Sequence, residues 1–318
     1  MPGTDIHESV KIAVDQCPEF AFVPEVPERG APAGMIGRTT ALLAGLGVDL
    51  QPAGWRLTDA SGVDHRRAVS LLSEDLDAVE EHTQEYVGAL KVQLTGPWTL
   101  AAAVELPRGD KVLGDHGARR ELAQSLAEGV RDHIADVRRR VPGAEIVVQV
   151  DEPTLPAVLA GSITTASGFH RHRTVEAPTA DQSLRWIVDA VREAEATPVV
   201  HVCASDVPVG LLTGAGFAAI SFDLASIDKA VIDPWAEAFE AGVDLWSGVV
   251  PTTAPAEPFS VAARIREVES WYAALGFGPQ EYLPRVTITP TCGLAGASPT
   301  WAPRALAYAQ HIADGLGA

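Results

Sequence analysis

Three side chains of this 318-residue sequence could together do metal chemistry: His201, Cys203 and Cys292. His201 and Cys203 close the run Val199-Val200-His201-Val202-Cys203, and Cys292 follows Val286-Thr287-Ile288-Thr289-Pro290. Both runs are rich in β-branched residues and read as strands. Residues two apart on a strand project from one face, so His201 and Cys203 point the same way. One imidazole and two thiolates are a soft donor set that selects zinc over magnesium or calcium. A His-x-Cys at a strand end is by itself compatible with plain packing, since free cysteine is among the most buried residue types. The second cysteine, at the end of another strand, shifts the reading toward a metal. Asp223 ends Ile220-Ser221-Phe222-Asp223-Leu224 and is the candidate fourth ligand, with a helix cap or salt bridge as its alternative. Cys17, next to Pro18, has no matching partner and reads as structural.

A second set of groups could hold a substrate. Asp151-Glu152-Pro153 ends the strand Val147–Val150. A carboxylate there could bind the ammonium of an amino acid, or Asp151 or Glu152 could merely cap the next helix. Glu25 follows an early strand and is the other candidate substrate-binding carboxylate, unless it stands solvated in a loop. Gly96-Pro97-Trp98-Thr99 is a strand-to-helix junction whose proline suits a first helical turn.

These residues need a scaffold that gathers strand ends. Strands are expected at Phe20–Pro24, Leu90–Thr95, Glu145–Asp151, Pro198–Cys203, Ala219–Leu224, Leu245–Val250 and Arg285–Pro290. Helices are expected at Asp5–Gln16, Gly34–Ala44, Ala118–Arg140, Thr179–Ala196, Pro234–Ala241, Val261–Ala274 and Pro303–Leu316. In Ala118–Arg140 the apolar positions Leu122, Leu126, Val130, Ile134 and Val137 form one stripe. The strands read as apolar throughout, which requires cover on both faces, as in a parallel sheet wrapped by helices. With no glycine-rich dinucleotide fingerprint, the alternation favours a (β/α)8 TIM-type barrel. Seven strands are found, and the chain opens on a helix, so the barrel is expected to lack its first strand or to have it altered. Asp49–Leu57 reads as a hairpin or excursion outside the barrel. No composition shift or linker divides the chain, so residues 1–318 are expected to form one domain.

A formal net charge of −18 opposes binding to nucleic acid or to anionic membrane surfaces. The basic run Arg138-Arg139-Arg140 sits at a helix end, where cations complement the helix dipole. No apolar stretch is long enough to cross a bilayer. Three cysteines, and an acidic, polar N-terminus unlike a secretory leader, point to a reducing, cytoplasmic setting.

In series, these motifs resemble the catalytic half of cobalamin-independent methionine synthase, from about Glu25 to the end of the chain. The shared pattern is Asp151-Glu152-Pro153, then His201-Val202-Cys203, a carboxylate at Asp223 and Cys292-Gly293-Leu294, in the family's order and at comparable spacing. The resemblance implies zinc on His201, Cys203, Asp223 and Cys292, with the ammonium of homocysteine on Asp151. It implies transfer of a methyl group to the homocysteine thiol, which zinc deprotonates. The carboxylate is the ligand expected to give way to substrate. Three features depart from the family. Asp223 stands where glutamate is usual. Asp244-Leu245-Trp246-Ser247-Gly248 lacks the histidine of the family's Asp-Ile-His-Ser stretch. The chain begins at Met1-Pro2-Gly3, just past the place of the Ile-Gly-Ser turn that helps bind the substrate carboxylate. The duplicated half that helps bind folate is also absent, so a corrinoid or another methyl source is the expected donor. Two alternatives remain open: a corrinoid-dependent methyltransferase of another thiol, and a zinc-binding homologue impaired in catalysis.

Overall fold

In the computed structural model, which describes residues 1–316, Asp5 starts the first helix by accepting a hydrogen bond from the Glu8 N–H. That helix, α1 (Ile6–Gln16), leads into β1 (Phe20–Phe22), α2 (Met35–Thr40) and an antiparallel hairpin of β2 (Gly47–Gln51) and β3 (Gly54–Thr58). This hairpin is the expected excursion at Asp49–Leu57. The rest alternates: α3 (Val63–His82), β4 (Gly88–Thr95), α4 (Pro97–Ala103), α5 (His116–Arg140), β5 (Ala144–Asp151), α6 (Leu155–Leu159), α7 (Ala177–Glu193), β6 (Thr197–Val202), α8 (Val209–Ala215), β7 (Ala219–Asp223), α9 (Asp233–Glu240), β8 (Asp244–Val250), α10 (Val261–Leu275), α11 (Pro279–Tyr282), β9 (Thr287–Pro290) and α12 (Trp301–Leu316).

Seven of the strands form one parallel sheet in the order β1-β4-β5-β6-β7-β8-β9. The sheet curls far enough that Phe20 of β1 meets Trp246 of β8 edge to face, with ring centroids 5.2 Å apart. It is a half-barrel, an incomplete TIM-type barrel, with β1 and β9 as its edges. The expected barrel short of a strand is what the sheet shows. On the convex side, outward residues such as Leu90, Val148, Val200 and Phe222 pack under the helices in one continuous core. On the concave side, Val147, Val199, Ala219 and Trp246, with Phe20 and Ala89, make a small apolar plug.

Helix α3 has no counterpart among the sequence expectations. Its stripe of Ala68, Leu72, Leu76 and Val79 is buried, but it is diluted by charged residues on the remaining faces. Within that helix Asp75 is fully buried and holds Arg29 at 2.6 Å, as well as Arg38 of α2. A carboxylate that deep is tolerated because two guanidiniums neutralise it. Arg140 corrects the dipole-only reading of the basic run. It reaches Asp77 (2.5 Å) and Glu80 (2.9 Å) of α3 and so joins α5 to α3. Among the described residues no helix is long and apolar enough to cross a membrane.

Candidate metal centre

Strand β6 alternates cleanly, with Val200 and Val202 facing the helices and Val199 and His201 facing the concave side. His201 is buried, and Cys203 follows one residue past the strand's end. Three strands along the sheet, β9 runs out at Pro290 and the turn carries Cys292 over the same rim. The donor atoms of His201, Cys203 and Cys292 all lie within 4.8 Å of one another. The two sulfurs are 3.7 Å apart. That is far beyond the ~2.05 Å of a disulfide. Two thiolates at ~2.3 Å from a tetrahedral zinc would stand roughly 3.8 Å apart. The cysteines therefore already have the spacing that such an ion would require.

The imidazole is oriented for the same task. Its Nδ1 is 3.0 Å from the Ser221 hydroxyl on β7, while Nε2 is buried without a hydrogen-bond partner among the described residues. With Nδ1–H donating to Ser221, the neutral ring leaves an Nε2 lone pair free, the arrangement typical of a metal-ligating histidine. Cys292 holds its proton weakly, chiefly because the Cys203 thiol 3.7 Å away hydrogen-bonds to its thiolate. Cys203 is pushed the other way by the same pairing, then by burial.

Asp223 lies outside this cluster. Its carboxylate accepts from the Ala225 N–H (3.0 Å) and the Ser226 hydroxyl (2.8 Å), capping the turn after β7. Both of its sequence alternatives, ligand and cap, concern this one side chain, and the arrangement described here is the cap. Cys17 is remote from the cluster and partly buried, with its thiol raised to about 11 by burial.

The Asp151–Glu152 pair splits across the sheet, as neighbours on a strand must. Asp151 stands opposite His201 in the β5–β6 register and faces the concave side. Its carboxylate accepts from Gln149 Nε2 at 2.7 Å, and Gln149 Oε1 accepts from Lys91 Nζ at 3.1 Å. Burial raises Asp151, opposed by His201 and then Lys91. Glu25 is half-buried, with Arg38 Nε 3.6 Å from its carboxylate. Burial raises it as well, Arg38 opposes the rise, and Asp151 adds to it. Both carboxylates are therefore electrostatically coupled inside the curl of the sheet.

Glu152 faces the other way and is fully buried. It accepts from the backbone N–H groups of Trp98 and Thr99, each at 2.8 Å, and from the Thr99 hydroxyl at 2.7 Å. It caps the helix after the neighbouring strand β4, not the helix after its own. Gly96 is needed there, since a Cβ would stand 2.4 Å from the Glu152 carboxyl group.

Sequence reasoning missed Lys91, Gln93 and Gln149. They line the middle of the concave side, where a closed barrel carries branched apolar side chains, and all three remain partly open. The strands were expected to be apolar throughout. The spacing of two in Lys91-Val92-Gln93 was the available signal of a polar interior face. Trp246, which replaces the family's histidine, belongs to the apolar plug against Phe20 and supplies no titratable group.

The sequence profile of the cobalamin-independent synthase catalytic domain matches residues 73–315. No curated protein matches the chain in sequence. Among solved structures, a B12-independent methionine synthase from Shewanella sp. W3-18-1, in complex with selenomethionine, superposes with a TM-score of 0.62 at 12% identity. The match covers 98% of this chain and 87% of that one, a likeness of fold. A methylaspartate ammonia lyase from Clostridium tetanomorphum overlaps more loosely, with a TM-score of 0.39 at 10% identity over 79% of this chain and 48% of that one.

Proposed function

This chain belongs to the family of cobalamin-independent methionine synthase catalytic domains, and from that premise we propose that it is a zinc-dependent methyltransferase acting on the thiol of homocysteine. The observation that carries the reading is the convergence of three soft donors at the C-terminal rim, with their sulfurs at the 3.7 Å spacing of a shared ion. His201 through Nε2, Cys203 and Cys292 would hold the zinc, and a tetrahedral ion has room for one more ligand. When bound, zinc lowers the proton affinity of an incoming thiol so that it enters as the nucleophilic thiolate.

The protein's own residues define which thiol that is. Asp151 and Glu25 set carboxyl groups inside the curl, suited to accept hydrogen bonds from an ammonium group. Lys91 has three N–H donors and spends one on Gln149. No carboxylate lies within 4.0 Å of its nitrogen among the described residues. It is free to take a substrate carboxylate. Acceptors for an ammonium and a donor for a carboxylate, next to a metal thiolate site, describe a thiol amino acid. Asp223 is the proposed exchangeable fourth ligand. Its carboxylate, hydrogen-bonded to Ala225 and Ser226 in the cap, would be the weakest of the four groups holding the ion.

The apolar plug beneath the site, with Trp246 in place of a histidine, contributes no acid or base to the transfer. The donor is proposed to be a corrinoid or another methylated small molecule, and the setting a reducing cytoplasm.

The test is cobalt(II) substitution. The loaded protein should show thiolate-to-cobalt charge transfer that intensifies on adding L-homocysteine and not on adding L-2-aminobutyrate. A spectrum indifferent to both would overturn the reading.

A further inference from the structure

Against an overall charge of −18, one cavity of about 400 Å³ gathers positive charge. It lies between the first turn of α5, with His116 and Arg119, and the segment after α6, with Arg171, His172 and Arg173; Glu176 is the carboxylate in its lining. Helix α5 connects the C-terminal end of β4, by way of α4, to the start of the parallel strand β5. Its first turn, and the cavity with it, therefore stands on the C-terminal side of the sheet, the side that carries His201, Cys203 and Cys292.

The guanidiniums in this cavity lack the partners that others in the chain have. Arg38, Arg140 and Arg285 all reach carboxylates. Among the described residues Arg119, Arg171 and Arg173 reach none within 4.0 Å. Arg119 is more than nine-tenths buried, with its guanidinium 5.8 Å from the Trp98 ring centroid and Nη2 2.6 Å from His116 Nδ1, yet its Nε has no hydrogen-bond partner among the described residues. A buried guanidinium without a counter-charge is costly, and two more arginines beside it raise that cost. The nearby acidic groups are already engaged. Asp115 caps α5 through the Ala118 N–H, and Asp110 lies 3.3 Å from His172. The positive end of a long helix adds to the same field.

We propose that this cavity is an anion-binding subsite for a ligand portion bearing two or more carboxylate or phosphate charges, on the face from which a second substrate must approach. Arg119 supplies the buried, preorganised donors, and Arg171 and Arg173 close over the anion from the outer segment. Nothing in this assignment depends on methyl transfer or on a bound metal.

Isothermal titration calorimetry on the full chain at low ionic strength tests it, with inorganic phosphate and tricarballylate as separate probes. Saturable 1:1 binding of at least one probe, with a Kd of about 1 mM or tighter, is expected, and the probe that binds identifies the chemistry. The double substitution R171S/R173S, at exposed positions that the fold does not need, should weaken it by about tenfold or more. Arg119→Met should abolish binding. If that variant does not fold, the double variant still decides the matter. No saturable binding of either probe up to about 20 mM, or a Kd untouched by R171S/R173S, would overturn the proposal.

Discussion

Ser221→Ala replaces no proposed metal ligand and yet should weaken zinc binding. The Ser221 hydroxyl is 3.0 Å from His201 Nδ1, and Ser221 is only 3% exposed. Deleting it therefore leaves the nitrogen without a protein partner and with little solvent to replace one. The hydroxyl fixes which nitrogen carries the proton and which way Nε2 points. Removing such a partner of a ligating histidine costs 10- to 100-fold in metal affinity, or about 1.4–2.8 kcal/mol. Competition for zinc against a chromophoric chelator at constant pH would measure it, with thermal unfolding of the metal-free protein as the control for the ~1 kcal/mol that a lost buried hydrogen bond costs the fold. A zinc affinity within about twofold of the parent, in a protein that folds normally, would refute the assignment of Nε2 as the ligating atom.

Further outcomes are expected at neighbouring groups. Lys91→Met should weaken binding of L-homocysteine to the zinc-loaded protein by about tenfold or more, while 3-aminopropane-1-thiol, which lacks the carboxylate, binds as before. Calorimetry with both thiols would read this, and equal weakening of the two would contradict a carboxylate-binding role. Native protein treated with iodoacetamide in the absence of zinc should be modified first at exposed Cys292 and well before Cys17, whose thiol burial raises to about 11. Peptide mapping over time gives the order. Burial lifts Glu152 to about 7, against the hydrogen bonds from Thr99 and Trp98, whereas the unfolded chain ionises near ~4.3. Below that lower value both states are protonated and no penalty exists. As pH rises toward 7 the unfolded state gains the charge first, so the fold should lose up to about 3 kcal/mol across that window. Denaturant titrations should show this slope in the parent and its absence in Glu152→Gln.

The cluster of His201, Cys203 and Cys292 was legible in the sequence because strand geometry is simple. A spacing of two puts His201 and Cys203 on one face, and a β-branched run ending just before Cys292 puts it at a strand's end. The parallel half-barrel was legible for a related reason: apolar runs alternate with helical stripes from β4 onward, and the front strand was already missing from the count. What stayed hidden depends on neighbours that are distant in sequence. Glu152 caps a helix that begins 55 residues earlier, a pairing that only the β4–β5 register creates. The role of Lys91 exists because Gln149 on the adjacent strand turns its amide oxygen toward it. Helix α3 was lost because charges on its exposed faces dilute a four-residue stripe that buries against α1 and α2. The Arg119 cavity joins the first turn of α5 to the segment after α6, and no local pattern encodes that.

Zinc X-ray absorption on the loaded protein addresses the metal centre most directly. One nitrogen near ~2.0 Å and two sulfurs near ~2.3 Å are expected, with a third sulfur joining when L-homocysteine is added. A zinc shell of nitrogen and oxygen alone, or protein that retains no zinc, would contradict the assignment of His201, Cys203 and Cys292.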